Sequence, residues 1–236
     1  MISVLSVLTA LGPDVADHFA ETVESVVAQR LPAGVELEWI VCVDGPPGVI
    51  DLELPDDPRI TVVHSGRPGG PGLCRNVAAT RSTGSVLRNL DADDVLLPGA
   101  LAADVRTLSD PRYGWCTSEA LDLLPDGTTR AFATGGRDRD IARGEIVEQW
   151  RRSETLDVHV CTLAVRRRLF WAAGGYTALP RSEDVALLAR LSAQCVGRHR
   201  SEPGLLYRKW PGQITAVDRD ESNRAVRESI TAALSS

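Results

Sequence analysis

An α/β fold built on a mostly parallel sheet is what this sequence predicts, and three observations carry the prediction. Apolar, β-rich runs alternate with helix-periodic segments through the first 94 residues, an order that demands crossover connections. The runs are followed by Thr9, Asp44, the glycine-rich stretch 66–72 and Asp91–Asp94. Four polar or turn-forming signals therefore fall at the carboxyl ends of strands, the edge where such sheets bind ligands. The 236 residues, 43% apolar and 25% charged, make one large globular domain or two small ones sharing a sheet.

The elements follow in order. Ser3–Thr9 begins the fold as a buried strand. Asp14 opens a helical pattern to about Arg30, with Val15, Phe19, Val23, Val26 and Val27 at apolar positions. Leu37–Val43 is a second strand, ended by the turn signal Asp44-Gly45-Pro46-Pro47-Gly48. Ile60–His64 is a third. The glycine-rich stretch then leads into a helix over about Leu73–Arg81, and Ser85–Leu90 forms a fourth strand closed by Asp91-Ala92-Asp93-Asp94.

Beyond Pro98 the periodicity weakens. Helices are expected at Pro98–Leu108, Gly144–Arg152, Arg167–Ala173, Glu183–Ala193 and Asp220–Leu234. Strands are expected at Trp115–Ala120, Thr128–Ala133, Thr162–Val165 and Leu205–Lys209, and Gly135–Asp140 has a mobile loop's composition.

Charge and cysteine content exclude several classes. The balance of 26 basic and 32 acidic residues gives −6, without the basic face a nucleic-acid binder needs. No apolar run is long enough for a membrane span, and the N-terminus lacks a signal peptide's basic start and cleavage site. Five widely spaced cysteines without a C-x-x-C pair favour neither a disulfide framework nor a zinc site, so the cytoplasm is the expected location. The four histidines are scattered, and His159 is expected to be an interior residue.

Three constellations have chemical potential. Asp91-x-Asp93 after an apolar strand sets two carboxylates where magnesium or manganese and its phosphates would be held; the plainer alternative has Asp94 capping the next helix and the others solvated. Gly69-Gly70-Pro71-Gly72-Leu73-Cys74-Arg75-Asn76 offers backbone N–H groups and a first-turn arginine to an anion, or is simply a flexible connection. It is neither a P-loop nor a dinucleotide fingerprint. Arg181-Ser182-Glu183-Asp184 offers a general base, although the residues alone favour Ser182 as an N-cap with acids complementing the helix dipole.

Together these pieces resemble the family-2 glycosyltransferases of the GT-A fold. Ser6–Ala10 is similar to their first strand, Glu24–Gln29 to the end of their first helix, and Leu37–Gly45 to the second strand with its base-binding acid. The most specific segment is Gly72-x-x-Arg75-Asn76-x-Ala78 followed by Leu90-Asp91-Ala92-Asp93-Asp94. Gly174-Gly175-Tyr176, Glu183-Asp184-x-x-Leu187-x-x-Arg190, Tyr207-Arg208 and Gln213-Ile214-Thr215 match the remainder.

The resemblance implies a nucleotide-sugar half over 1–97 and an acceptor half over 98–236 on one continuous sheet. Thr9, Ala10 and Asp44 would meet the base, Arg75 the nucleotide, and Arg208 the diphosphate. Asp91 would bind the ribose or the metal and Asp93 the metal itself, a manganese or magnesium ion. Asp184 would be the catalytic base with Glu183 beside it, and Tyr176 and Trp210 would face the acceptor. The implied activity is inverting, metal-dependent transfer of one sugar, hexosyltransferase-type, from a nucleotide diphosphate sugar to a hydroxyl of a small molecule or glycan, with a UDP-sugar as the expected donor. Pro46 stands where relatives often carry serine, and only the second of their paired acids is kept, as Asp44. The processive Gln-x-x-Arg-Trp motif is absent. The rival readings are a catalytically silent sugar-nucleotide-binding subunit and a nucleotidyltransferase, whose glycine-rich first loop is missing here. Trp171 is open to facing the acceptor or to filling the core, and Arg166-Arg167-Arg168 to touching an anionic surface or, the favoured reading, to forming a solvated helix start.

Overall fold

The computed structural model describes residues 2–131, 136–153, 155–179, 182–211, 213, 224, 228 and 231. Phe132 and Ala133 of the expected strand, Gly135, Arg181, Ile214 and Thr215 lie outside the described residues, as does the expected 220–234 helix apart from Arg224, Glu228 and Thr231.

Continuous apolar runs become the inner strands because both of their faces are covered. In chain order these are β1 (Val4–Leu11), β2 (Glu36–Val43), β3 (Ile60–His64) and β4 (Val86–Asn89). The sheet continues with β5 (Val95–Leu96), β6 (Trp115–Leu123), β7 (Thr129–Ala131), β8 (Arg139–Ile141), β9 (Ala164–Arg166) and β10 (Gly197–Arg208). Its order is β3-β2-β1-β4-β9-β6-β10-β5, with β7 on β6 and β8 on β10. The pairs of β1, β2, β3 and β4 are parallel; β9 runs against both β4 and β6, and β10 is parallel to β6. Two reversals cancel, so β1, β2, β3, β4, β6 and β10 all point their carboxyl ends at one edge.

Side chains alternate between two cores. On β1, Leu5, Val7 and Leu11 join Trp39, Val41, Phe19 and Leu101 on one face. Leu8 joins Ile40, Cys42, Leu87 and Leu187 on the other. Helices α1 (Phe19–Val27) and α3 (Ala100–Ser109) cover the first face. Helices α2 (Gly70–Arg81), α4 (Glu145–Ser153) and α6 (Glu183–Gln194) cover the second, and α5 (Arg167–Ala172) follows β9. Among the described residues no helix is long and apolar enough to cross a membrane.

Several elements differ from expectation. The single helix over 14–30 is a 3-10 turn at Pro13–His18 followed by α1, which opens where Phe19 packs on Trp39 with ring centroids 5.7 Å apart. Strand β1 runs two residues beyond Thr9. Strand β10 begins eight residues before Leu205 because its charged residues have partners: Arg200 pairs with buried Asp104, and His199 lies 3.0 Å from both Thr117 and Glu119. The stretch with a mobile loop's composition holds β8, since Asp138 and Asp140 pair with Arg198 of β10. Trp171 is 39% exposed rather than in the core. Arg166 donates to the carbonyls of Leu108, Asp110 and Tyr113, so that part of the arginine triplet is structural rather than solvated.

Gly197 starts β10 against the fully buried Trp115, where an added Cβ would lie 2.3 Å from the indole ring. Gly197→Ala is expected to destabilise the fold by about 1–3 kcal/mol through overpacking, read as a lowered urea midpoint at unchanged m-value.

Candidate active site

The site grows from the way α2 is started. Its N-terminus has no side-chain cap of its own. Instead Asp44, at the end of β2, reaches across: Oδ1 accepts the Gly69 N–H at 2.8 Å and Oδ2 the Gly70 N–H at 2.9 Å. The N–H groups that the sequence offers to an anion are thus held by a carboxylate from the fold itself, in the place where the helix dipole favours negative charge. Two residues on, Gly72 lets α2 approach α6. A Cβ there would stand 3.1 Å from Glu183 Cγ and 3.2 Å from the Thr177 carbonyl oxygen.

That close approach brings Arg75 to Glu183. Its Nη1 donates to Glu183 Oε1 at 2.7 Å, and its Nη2 donates to Asp91 Oδ1. The guanidinium carbon lies 5.3 Å from the centre of the Tyr176 ring. Both ends of the fork are engaged, so Arg75 joins two acids. Asn76 fixes the same loop, accepting from Tyr176 N–H at 2.9 Å and donating to Tyr176 C=O at 2.8 Å. Tyr176 is buried at 6% exposure in the core with Phe170. Burial also raises its hydroxyl pKa.

Ser182 does not cap α6. Its backbone is left-handed, with φ of 56°, and its side chain makes no cap hydrogen bond. Glu183 is turned inward onto Arg75, which leaves Asp184 as the uncompensated acid. Burial, and next the charge of Glu183, lift the Asp184 carboxyl to about 7, against the opposing pull of Arg75. A carboxyl held there exchanges a proton near neutrality.

The acidic run leaves β4 on the same edge. Thr22 of α1 pins it, with Oγ1 at 2.8 Å from the carbonyls of both Ala92 and Asp94. Segment 208–210 folds back over it. Arg208 donates from its backbone N–H to Asp94 Oδ1 at 3.0 Å, from Nε to the Asp93 carbonyl at 2.8 Å, and pairs with Glu21 of α1. The Trp210 indole N–H donates to Asp93 Oδ2 at 2.8 Å, and its ring lies 5.3 Å from that of His18. Trp210 is therefore placed on a carboxylate of the acidic run. Burial, followed by the charge of Asp91, raises the pKa of Asp93. Asp94 is wholly buried and caps no helix, since α3 starts after Gly99. Burial and the charges of Asp91 and Asp93 push its pKa well up.

The donor set suits a divalent cation. Asp94 Oδ2 is buried with no hydrogen-bond partner, and one oxygen each from Asp91 and Asp94 lies within 4.8 Å of the other and of Cys161 Sγ. Of the five acids Asp91, Asp93, Asp94, Glu183 and Asp184, Arg75 forms ion pairs with Asp91 and Glu183, while Arg208 reaches Asp94 through its backbone N–H and the Asp93 carbonyl through Nε, so acids outnumber cations at this edge among the described residues.

The structure brings together Arg75, Asp91, Glu183 and Asp184, and beside them Asp93, Arg208 and Trp210. Thr9 does not share in this. It is fully buried inside β1, and its hydroxyl accepts the Trp39 indole N–H at 3.0 Å. Ala10 is half-buried against the opposite core. His159 is interior as expected, edge-on to Tyr207 with centroids 4.7 Å apart, and burial lowers its pKa to about 4. Asn76, Asp94 and Cys161 escaped assignment from sequence. Asn76 and Asp94 stand inside the quoted motifs, whereas Cys161 carries no sequence signal.

The comparisons with known proteins follow this geometry. The family described as "Glycosyl transferase family 2" matches residues 15–172. Among solved structures, that of S. aureus TarS 1-349 in complex with UDP-GlcNAc is 17% identical with a TM-score of 0.73, covering 97% of this chain and 66% of that one. The same protein in complex with UDP gives 16% identity, a TM-score of 0.67, and coverages of 97% and 64%. Longer S. aureus TarS gives 15% identity and a TM-score of 0.69, with 97% of this chain covering 39% of that one. The chain thus spans less than two thirds of these relatives. No curated protein matches it.

Arg75→Ala is expected to destabilise the fold by about 3–5 kcal/mol, because it strands buried Glu183 and partly buried Asp91 without their shared counter-charge. Arg75→Lys restores only part of this, since an ammonium lacks the fork that reaches both acids. Urea unfolding of the two variants checks the order.

Proposed function

The chain belongs to glycosyl transferase family 2, and from that premise we propose that it moves one sugar from a UDP-sugar to an acceptor hydroxyl with inversion at the anomeric carbon. The donor reading draws support from the UDP and UDP-GlcNAc complexes of TarS. The observation that carries the chemistry is the Asp184 carboxyl, lifted to about 7 beside the Arg75 bridge.

In this reading Asp184 takes the proton of the acceptor hydroxyl as its oxygen attacks the anomeric carbon. The bond from that carbon to the diphosphate breaks on the opposite face, and the electron pair leaves with the diphosphate. Glu183 is the positioning partner: paired with Arg75, it lies beside Asp184 and raises the basicity of the base. Arg75 orients Asp91 toward the ribose side of the donor. A divalent cation on the acidic run would offset the charge that gathers on the diphosphate. Asp44 supports the base-binding edge by fixing the start of α2. The donor half is 1–97 and the acceptor half 98–236, with Arg208 and Trp210 returning to the donor side. The five free cysteines suit a reducing cytoplasm.

Asp184→Asn should lower turnover by about 10²–10⁴-fold, the usual scale of a general base, while leaving UDP affinity by calorimetry unchanged. Wild-type turnover in this variant would remove the assignment. Because the base form is required, kcat/KM should be flat above about pH 7 and drop roughly tenfold per pH unit below it. A stability consequence has its own sign. The raised pKa means that folding favours the protonated acid, so stability is lost as pH rises from the unfolded value toward 7. Asp184→Asn should accordingly raise Tm at about pH 8 and leave it nearly unchanged at about pH 4, read by thermal unfolding across that range.

A further inference from the structure

We propose that Trp210 is a positioning residue for the cation: its indole N–H holds one oxygen of Asp93, leaving the other to the ion, and His18 holds the indole. The proposal rests on the functional reading above and deepens it by naming what orients the metal-binding carboxylate.

The need for such a residue follows from the acid itself. Asp93 lies in the turn between β4 and β5, and its carboxylate can rotate about two side-chain torsions. Its neighbours are tied by other means. Asp91 is paired with Arg75, and Asp94 Oδ1 accepts the Arg208 N–H at 3.0 Å. Asp93 has no ion pair among the described residues, and the side chain that reaches its carboxylate is Trp210, whose Nε1 donates to Oδ2 at 2.8 Å. An indole N–H donates and accepts nothing. Trp210 can therefore fix the carboxylate without competing for the ion as a ligand, which is how outer partners of ligating carboxylates act.

The indole is itself held in place. Trp210 stands two residues past the end of β10, and the Lys209 N–H to Leu123 carbonyl bond, at 2.8 Å, keeps that exit against β6. Its ring lies against His18, with centroids 5.3 Å apart and planes at 58°. Arg208 binds the same two partners one step away: Nε donates to the Asp93 carbonyl at 2.8 Å, and Nη2 lies 2.9 Å from Glu21. His18, Glu21 and Thr22 are spaced by three and four residues, the spacing of neighbours on one helical face. That face supplies His18 to the indole, Glu21 to the guanidinium, and Thr22 to the carbonyls of Ala92 and Asp94. Asp93 is thus gripped through its main chain by Arg208 and through its side chain by Trp210, and both grips are anchored on the start of α1. A phenylalanine would pack on His18 as well as tryptophan does; the N–H is what the indole adds.

Calorimetry of UDP binding to the full chain, in manganese and in EDTA, tests the assignment. Trp210→Phe keeps a ring on His18 and removes the N–H. Its UDP affinity should fall by about tenfold in manganese and stay within about twofold of wild type in EDTA. A ring that touched the nucleotide would cost affinity under both conditions, and one that only packs would cost it under neither; either result overturns the proposal. His18→Ala, which leaves the N–H but frees the ring, should give a smaller loss with the same split. The double variant decides independently of the EDTA condition. Added to Asp93→Ala, Trp210→Phe should cost no further affinity in manganese, because its effect passes through that carboxylate; a full further loss overturns the assignment. UDP unbound by the wild-type chain in manganese rejects the functional reading, whereas UDP bound equally well by wild type and Trp210→Phe rejects the positioning role alone.

Discussion

Arg75 sits at 5% exposure between carboxylates that the chain supplies from positions 16 and 108 residues away. Moving a guanidinium into such a place costs several kcal/mol unless both ends find acids, and here they do. Glu183 comes from α6 and Asp91 from the segment leaving β4, so one side chain ties the helix that offers the proposed base to the strand edge that carries the acidic run. Its neighbours are arranged around that demand. Gly72 clears the path for α6, Asn76 clamps the Tyr176 backbone beneath the guanidinium, and Tyr176 gives it an aromatic face.

Asp184 inherits its character from the same bridge. Had α6 begun in solvent with Ser182 as its cap, as Ser182-Glu183-Asp184 suggests locally, Asp184 would have lacked the burial that lifts it. The left-handed turn at Ser182 instead directs Glu183 inward to Arg75. Asp184 is then held close to a charged neighbour in a desolvated place without a cation of its own, and its carboxyl rises to about 7. The proposed base is thus a product of pairing next door, and the arginine's effect on it is indirect.

Much of the first half of the fold was legible in the sequence because its strands are continuous apolar runs, buried on both faces, and its turns carry Gly, Pro and Asp. Strand β3 was placed to the residue, and α2 and β4 to within a few residues. Strands β8 and β10 were partly hidden for the opposite reason. Arg198, Arg200, Asp138 and Asp140 look solvent-bound until they are seen to neutralise one another, and the register shifts around Pro203 break the alternation. For the site, Arg75, Asp91, Glu183 and Asp184 were readable as a motif set. Their partnerships were not, because each depends on contacts between distant segments. Thr9 illustrates this: it stands at a plausible strand end, yet β1 continues past it and Trp39 takes its hydroxyl. Cys161 had no flanking signal, since a buried thiol in a 3-10 turn resembles any small core residue.

The acidic edge is closed by residues 208–210, which come from a distant part of the sequence. Arg208 and Trp210 reach Asp93 and Asp94 across 114 to 117 residues, and Arg75 reaches Glu183 across 108. Contacts of such separation carry loop-closure entropy that must be met before they stabilise anything. The acidic run is already pinned by Thr22 of α1 and held to β1 through the Leu90 N–H to Leu8 carbonyl bond. Asp91 has its partner in Arg75 of α2, whereas the hydrogen bonds to the Asp93 and Asp94 carboxylates come from residues 208–210, which β10 carries over the edge as it pairs along β6. Where β10 docks, the repulsion among these acids is enclosed, and Arg75, Arg208 and the Trp210 indole are the groups that relieve it. Docking of β10 and the electrostatics of this edge are therefore coupled, because β10 brings the hydrogen-bond donors to carboxylates that its docking removes from water.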